Sequence, residues 1–300
     1  MQTIRRIMTD SVSSLIDRGA AQLRSAGVEN PGSEAELLLA AALSLKRQDL
    51  WLQPKRALDG EEITRWQNFI ERRSAREPFA YIVGRKEFWS LEFKVNQEVL
   101  TPRPETELLI ERLLDIAQKG PGRESMRVLD MGTGSGNIAV AVAREFPESK
   151  VVAVDVSPGA IATARENIRH HGFSDRIHLV QSDLFAGLEP GDEGKFDYII
   201  SNPPYIKSRE IDRLMPEVSD HEPRSALDGG ASGLEFYQRI VPESCRMLKR
   251  GGSLIMEIGS DQAGAVIQII EKQGGYETPD ARPDYSGRDR VITAKRSARG

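Results

Sequence analysis

The sequence predicts an α/β fold: a doubly wound, mostly parallel sheet, preceded by a small helical bundle and a linking β-hairpin. Three observations carry this. After Pro104, short apolar runs of strand length alternate with helical stretches, the pattern of parallel strands joined by crossover helices. A glycine-rich turn, Gly132-Thr133-Gly134-Ser135-Gly136, stands between the first of those strands and its helix. Residues 1–77 carry helical spacing instead.

Val12, Leu15, Ile16, Ala20 and Leu23 recur at helical intervals until Gly27 stops the run. Ser33 and Glu36 form a capping-box pattern before Leu37-Leu38-Leu39, and Asp59 and Glu62 repeat it before Ile63, Trp66 and Ile70. Pro54 and Pro78 punctuate the ends, so residues 1–77 read as a helical bundle with no evident chemistry of its own. Residues 78–102 change texture. Phe79, Tyr81, Ile82, Val83, Phe88, Trp89, Leu91, Phe93 and Val95 are β-prone, and 91–95 alternate, which predicts a hairpin linker whose aromatics serve packing, with a substrate-pocket role for Phe88 or Trp89 as the alternative. From 103 to 300 the α/β domain follows. A helix is expected over 105–118, then strands at 128–131, 151–156, 177–181, 196–201, 253–258 and 291–295. Helices are expected over 139–144, 160–169, 234–248 and 263–272.

The bulk properties narrow the function. A net charge of −4 lacks the basic surplus of a general nucleic-acid binder, so no stable nucleic-acid partner is expected. No apolar run approaches the ~18 residues of a membrane span, and Met1 to Asp10 has no signal-peptide core, so the expectation is a cytoplasmic protein without a membrane. Cys245 is the only cysteine, which excludes an internal disulfide and reads as a small packed side chain. His170, His171, His178 and His221 lack metal-ligand spacing, so no metal is expected.

The glycine turn is preceded by Asp130 and opens a helix, where unpaired N–H groups face a ligand. Its spacing is G-x-G-x-G rather than that of a dinucleotide fingerprint, and it has no P-loop lysine. Asp130 is placed to hold the loop or to receive an ammonium group. Asp155 ends the second strand, where an acid accepts both ribose hydroxyls of a nucleoside. Asp183 ends the third, where a carboxylate meets an adenine amino group while Leu184 packs on the ring.

Ser201 is followed by Asn202-Pro203-Pro204-Tyr205, at the carboxyl end of the fourth strand and hence on the same crevice. The chemistry of this loop suits an amide or exocyclic amine nitrogen. An amide nitrogen is a poor nucleophile, so both its hydrogens must be held and its lone pair aimed. The Asn202 side-chain oxygen is one acceptor and the Pro203 carbonyl a second. Both also stabilise positive charge that grows on the nitrogen. The prolines stiffen the loop, and Tyr205 is placed to stack on the planar group.

This layout resembles the Rossmann-like class I S-adenosyl-L-methionine-dependent methyltransferases that act on amides or on adenine or cytosine amines. Thr101-Pro102-Arg103-Pro104-Glu105-Thr106-Glu107 resembles the Pro-Arg-Pro-Glu-Thr-Glu signature of the release-factor glutamine methyltransferases (the PrmC/HemK family). The stretches 78–89 and 284–291 resemble the same family, and the likeness covers nearly the whole chain. The resemblance implies S-adenosyl-L-methionine as cofactor and the glutamine of a Gly-Gly-Gln loop in peptide chain release factors as substrate. It implies that Gly132 to Gly136 cradle the methionine part, Asp155 the ribose, and Asp183 and Leu184 the adenine. Asn202, Pro203, Pro204 and Tyr205 then grip the glutamine, and Arg103 and Glu105 order the entrance. Because all the expected cofactor contacts lie after Asp130, residues 1–77 are expected to dock the protein substrate, and the chain is expected to be a monomer. Leu184 departs from relatives with an aromatic there, which puts adenine stacking at that position in question. Ribosomal-protein glutamine methyltransferases and nucleic-acid adenine-N6 methyltransferases share the loop and stay open as alternatives, as does a cofactor-binding protein without catalysis.

Overall fold

In the computed structural model, residues 10–118, 125–189 and 191–298 are described. The chain divides into two units: residues 1–84 with Met215–His221, and Arg85–Leu214 with Glu222–Gly300.

The first unit is helical: α1 (Val12–Ser25), α2 (Pro31–Ala42), α3 (Arg47–Leu52), α4 (Gly60–Ser74) and α5 (Phe79–Val83). Ser11 caps α1 through its side chain. Asp59 and Glu62 form the expected capping box on α4. Ser33 and Glu36 do not form one. Pro31 already starts α2, because its fixed φ suits the first helical position. Glu36 turns instead to Arg47. Leu15, Leu23, Leu38, Leu39, Trp66, Ile70 and Ile82 fill the core of this unit. The β-prone stretch 79–83 is helix rather than strand. Pro78 precedes it and Gly84 ends it at φ +76°, and Ala80, Tyr81 and Ile82 are buried, so its apolar character reflects burial on a helix face. The 215–221 segment is bound to this unit by charge. Glu217 receives Arg76 at 2.8 and 2.6 Å and Arg73 at 2.9 Å. Burial pushes the Glu217 carboxyl up, but the two guanidinium groups outweigh it and hold its pKa at about 2.

The second unit opens with the hairpin β1 (Arg85–Phe88) and β2 (Leu91–Lys94). It continues through α6 (Glu107–Ala117), β3 (Arg127–Met131), α7 (Asn137–Glu145), β4 (Lys150–Asp155), α8 (Pro158–His170), β5 (Ile177–Gln181) and β6 (Phe196–Ser201). Short helices α9 (Ser208–Ile211) and α10 (Pro216–Ser219, counted with the first unit) follow. Then come α11 (Glu235–Met247), β7 (Leu248–Glu257), α12 (Ala263–Gln273), β8 (Asp280–Pro283) and β9 (Asp289–Lys295). The seven strands lie in the order β5-β4-β3-β6-β7-β9-β8. The first five run parallel and β9 and β8 are antiparallel additions. One core packs α6, α7 and α8 on one face, and a second packs α11 and α12 on the other, so the sheet is doubly wound as expected. Strand β8, Asp280-Ala281-Arg282-Pro283, has no β-prone run; pairing with β9 makes it a strand, and Pro283 falls at an irregularity at its end.

Phe88 and Phe93 are buried in the first of these cores and Trp89 packs against it. The Trp89 indole N–H donates to Glu145 at 2.8 Å, so these aromatics serve packing, as expected. Asn167 on α8 joins three elements. It accepts from the Lys94 N–H at 2.8 Å and donates to the carbonyls of Lys94 at 3.0 Å and Ser135 at 2.8 Å, tying the hairpin to the glycine turn.

Replacing Glu217 by alanine leaves a 6%-exposed Arg73 side chain with Glu34 as its remaining carboxylate. Breaking a buried ion pair by removing one partner costs about 3 kcal/mol. Urea denaturation of the full chain should show a loss of that order in Glu217→Ala at neutral pH. The loss should shrink toward pH 2, because a carboxyl held at about 2 contributes stability above its unfolded value and gives it up as pH falls.

Candidate active site

Strand register builds the site. Met131 pairs with Val154 on one side and Ser201 on the other, and Ser201 pairs with Met256. The next residue of each strand therefore stands in one row at the carboxyl edge: Gly132, Asp155, Asn202 and Glu257. A cleft enclosing about 990 Å³, part of it open to solvent, lies along this edge.

Gly132, Thr133, Gly134 and Ser135 line the cleft. The turn is held from below by Asp130, which is fully buried. Its Oδ2 accepts from the Thr133 hydroxyl at 2.6 Å and the Ala139 N–H at 3.1 Å, while Oδ1 has no described partner. Burial raises its pKa to about 7. Of its two expected roles, holding the loop is the one these contacts support. Gly136 does not line the cleft. It sits at φ +81° before α7, and a Cβ there would stand 3.3 Å from the Ala164 Cβ, so it serves the close packing of α7 on α8.

Asp155 lines the cleft with one carboxylate oxygen on the Gly134 N–H and the other on the Ser157 N–H, both at 2.9 Å. Each oxygen retains a second lone pair. Burial raises its pKa. Asp183 and Leu184 lie in the same wall, and the Asp183 carboxylate accepts from Arg239 at 2.8 and 2.7 Å. Val156, Leu184, Phe236 and Ile240 add apolar surface. Val156 is 56% exposed, a large apolar side chain turned to the cleft where a flat ring can cover it. Positive-φ glycines, an acid at the second strand end and an exposed apolar wall fit a nucleoside-bearing ligand with a small polar tail.

Asn202, Pro203 and Pro204 line the opposite wall. The Asn202 Nδ2 donates to the Thr106 hydroxyl at 3.0 Å, leaving Oδ1 as the acceptor available to the cleft. Tyr205 departs from expectation. It does not line the cleft; its ring packs against the core beside α11 and α12 and its hydroxyl donates to Glu257 at 3.2 Å. Its carbonyl accepts from Gln262 at 3.0 Å, and a Cβ on Gly229 would stand 2.7 Å from its Cα. Tyr205 therefore anchors the loop, since a phenol drawn inward to a buried carboxyl cannot also stack in the cleft.

Four residues at this edge were not picked out as site residues from sequence. Thr106 sits in a single helical turn, Pro104–Thr106, and donates to Glu257 Oε2 at 2.7 Å. Glu257 is 1% exposed, and burial first of all raises its pKa to about 7, against the Thr106 hydroxyl bond and the Arg290 charge that lower it. Glu222 holds Arg103 by an ion pair at the cleft wall. Val156 follows Asp155. The sequence signal for Glu257 is a lone acid ending the apolar strand Leu254-Ile255-Met256, the same signal that marked Asp155. Among the described residues no His, Cys, Asp and Glu side chains gather as a metal site, and no helix is long and apolar enough to cross a membrane.

Comparison with known proteins agrees in both units. A family described as PrmC N-terminal domain matches residues 14–84, and one described as Methyltransferase small domain matches 104–219. The release factor glutamine methyltransferase of Caulobacter vibrioides is 41% identical over 90% of this chain and 91% of its own. That of Geobacter sulfurreducens is 42% identical over 94% and 95%. Among solved structures, the N-terminal domain of human METTL16 in complex with SAH superposes with a TM-score of 0.53 at 18% identity, covering 87% of this chain and 94% of that one, a likeness of fold.

The buried Glu257 has a measurable signature. With its carboxyl raised to about 7, the folded chain keeps a proton that the unfolded chain releases near the ordinary glutamate value. Its contribution to stability is complete below about pH 4.5 and lost as pH rises through about 7. Denaturation midpoints of wild type and Glu257→Gln across that window should diverge, the wild type losing up to about 1.4 kcal/mol per pH unit more than the variant. Parallel pH profiles would show that Glu257 is ionised throughout.

Proposed function

The chain belongs to the release factor glutamine methyltransferase family, and from that premise we propose that it transfers a methyl group from S-adenosyl-L-methionine to the side-chain amide nitrogen of the glutamine in the Gly-Gly-Gln loop of peptide chain release factors. The observation that carries the reading is the row of Gly132, Asp155 and Asn202, which sets a nucleoside cradle beside an oriented amide acceptor on one cleft.

The bound cofactor supplies an electrophilic methyl group on a sulfonium. The turn from Gly132 to Ser135 approaches the methionine part through its backbone, with Gly136 keeping the turn in place. Asp155 accepts from the ribose hydroxyls. Asp183 borders the adenine edge, and Val156 joins Leu184 in covering its faces. Asn202 Oδ1 and the Pro203 carbonyl each accept one hydrogen of the glutamine amide, which aims the nitrogen lone pair along the transfer axis. Both acceptors also meet the positive charge that grows on nitrogen, so they act most strongly in the transition state. The proton displaced from the methylated nitrogen would pass to water after the transfer, because an N-protonated amide is strongly acidic, so no strong base is required. Arg103, held by Glu222, orders the entrance. Residues 1–77 dock the body of the release factor, and a substrate that works in translation is met in the cytoplasm.

Asp155→Ala should weaken S-adenosylhomocysteine binding by roughly tenfold to a hundredfold, the worth of a charged hydrogen-bond partner. Calorimetry on the folded variant checks this, and unchanged affinity removes Asp155 from the ribose.

Asn202→Ala should lower single-turnover methylation of a Gly-Gly-Gln release factor by about a hundredfold to a thousandfold while leaving S-adenosylhomocysteine affinity intact. Run beside a factor with that glutamine replaced, the same assay tests the substrate. Equal methylation of both factors by the wild-type enzyme would falsify the glutamine assignment.

A further inference from the structure

We infer, on the reading that glutamine is the substrate, that Thr106 and Glu257 are positioning residues: they fix which end of the Asn202 amide meets the cleft and so make the site select an amide over a carboxylate. The two ends of an asparagine amide are nearly identical in shape, so packing does not decide between oxygen and nitrogen. Polar connectivity decides it here. Glu257 ends β7 in the same row as Asn202 and is 1% exposed. Its Oε2 accepts from the Thr106 hydroxyl at 2.7 Å and its Oε1 from the Tyr205 hydroxyl at 3.2 Å.

An ionised carboxylate only accepts. The single proton of Thr106 is therefore committed to Glu257, and Thr106 has only a lone pair to offer Asn202. Asn202 meets it with Nδ2 at 3.0 Å, and Oδ1 is left for the cleft. An incoming amide brings one N–H donor to that oxygen and its second to the Pro203 carbonyl, whereas a carboxylate brings an oxygen and is repelled. The surroundings of Glu257 serve the ionised form in part. Arg290 on β9, the Thr106 hydroxyl and the Tyr205 hydroxyl favour the charge, while burial and Glu105 oppose it; the Tyr237 hydroxyl on α11 bonds the Glu257 carbonyl. The Pro-Arg-Pro-Glu-Thr-Glu stretch thus acquires a chemical role: it delivers the Thr106 hydroxyl between a buried acid and the loop that holds the substrate.

The test uses the full-length enzyme at about pH 8, where a carboxyl titrating near 7 is ionised. Thr106→Val removes the hydroxyl at nearly constant volume, and Thr106→Ser keeps it. Single-turnover methylation of a Gly-Gly-Gln release factor should fall about tenfold to a hundredfold in Thr106→Val and recover to within about threefold of wild type in Thr106→Ser. S-adenosylhomocysteine affinity should not move in either. The distinguishing readout is binding of the Gly-Gly-Gln factor relative to a Gly-Gly-Glu factor, both in the presence of S-adenosylhomocysteine. In Thr106→Val the freed amide can turn Nδ2 toward the carboxylate, so the preference for glutamine should fall by about fivefold or more. If Thr106→Val does not fold, Thr106→Ala, which also removes the hydroxyl, replaces it with the same expected fall in preference. An unchanged preference overturns the inference whatever the rate, and so does an equal loss of activity in the valine and serine variants, which marks Thr106 as packing. Failure of the glutamine reading is seen separately, as equal methylation of glutamine-containing and glutamine-replaced factors by the wild type.

Discussion

Four parallel strands end level with one another, and the site exists because they do. Strand β3 pairs in register with β4 and β6, and β6 with β7, so Gly132, Asp155, Asn202 and Glu257 stand side by side where the carboxyl ends open onto the cleft. A slip of one residue in any pair would turn the end residue to the other face of the sheet. The apolar runs that precede each of these residues resist that slip. Leu129 and Met131, Val152 and Val154, Ile199, and Leu254 and Met256 pack on the α11 and α12 face, while Val128, Val151, Ala153, Ile200 and Ile255 pack on the α6 to α8 face. Burial on both faces thus sets the register, and the register sets the site.

Two buried carboxyls, Asp130 beneath this row and Glu257 at its end, hold its two working loops. Asp130 gathers the Thr133 hydroxyl and the Ala139 N–H, which closes the glycine turn. Glu257 gathers the Thr106 and Tyr205 hydroxyls, which closes the loop from Asn202 to Tyr205. Burial raises both pKa values to about 7, so each is costly to ionise and each is bonded to hydroxyl or amide donors rather than to a full salt bridge. Such an arrangement spends folding stability on loop geometry, a pattern expected where strained or polar groups are kept for function. The first unit treats charge differently: Glu217 lies between two guanidinium groups and its pKa is held low, which suits a purely structural clasp.

Much of the cleft is legible in the sequence because each of its signals is local. A glycine turn between strand and helix, an acid at the next strand end, and Asn-Pro-Pro-Tyr at another are all defined by residues within a few positions of one another. The expectations that failed were also local. Phe79 to Val83 look like a strand by composition, yet Pro78 and Gly84 bracket them as one helical turn and their burial explains the apolar content. Tyr205, aromatic beside the acceptors, reads in sequence as a stacking residue, but its hydroxyl finds a buried partner, and that bond turns the ring away from the cleft. Gly136 shares the motif and so reads in sequence as part of the cradle, whereas its neighbour Ala164 defines its purpose.

The amino-acid order by itself determined the fold class, the helix cap at Asp59, the glycine turn, and the identity of Asp155 and Asn202 as the residues to watch. These depend on spacing along one element, where backbone geometry translates position directly into direction. Only the tertiary structure decided that Thr106 stands between Asn202, 96 residues away, and Glu257, 151 residues away, and that the Asn202 oxygen rather than its nitrogen is left to the cleft. The physical reason is that a hydrogen bond reads a distance of about 3 Å and the direction of a single proton. No periodicity in the chain encodes either; the helical turn Pro104–Thr106 meeting the ends of β6 and β7 supplies both.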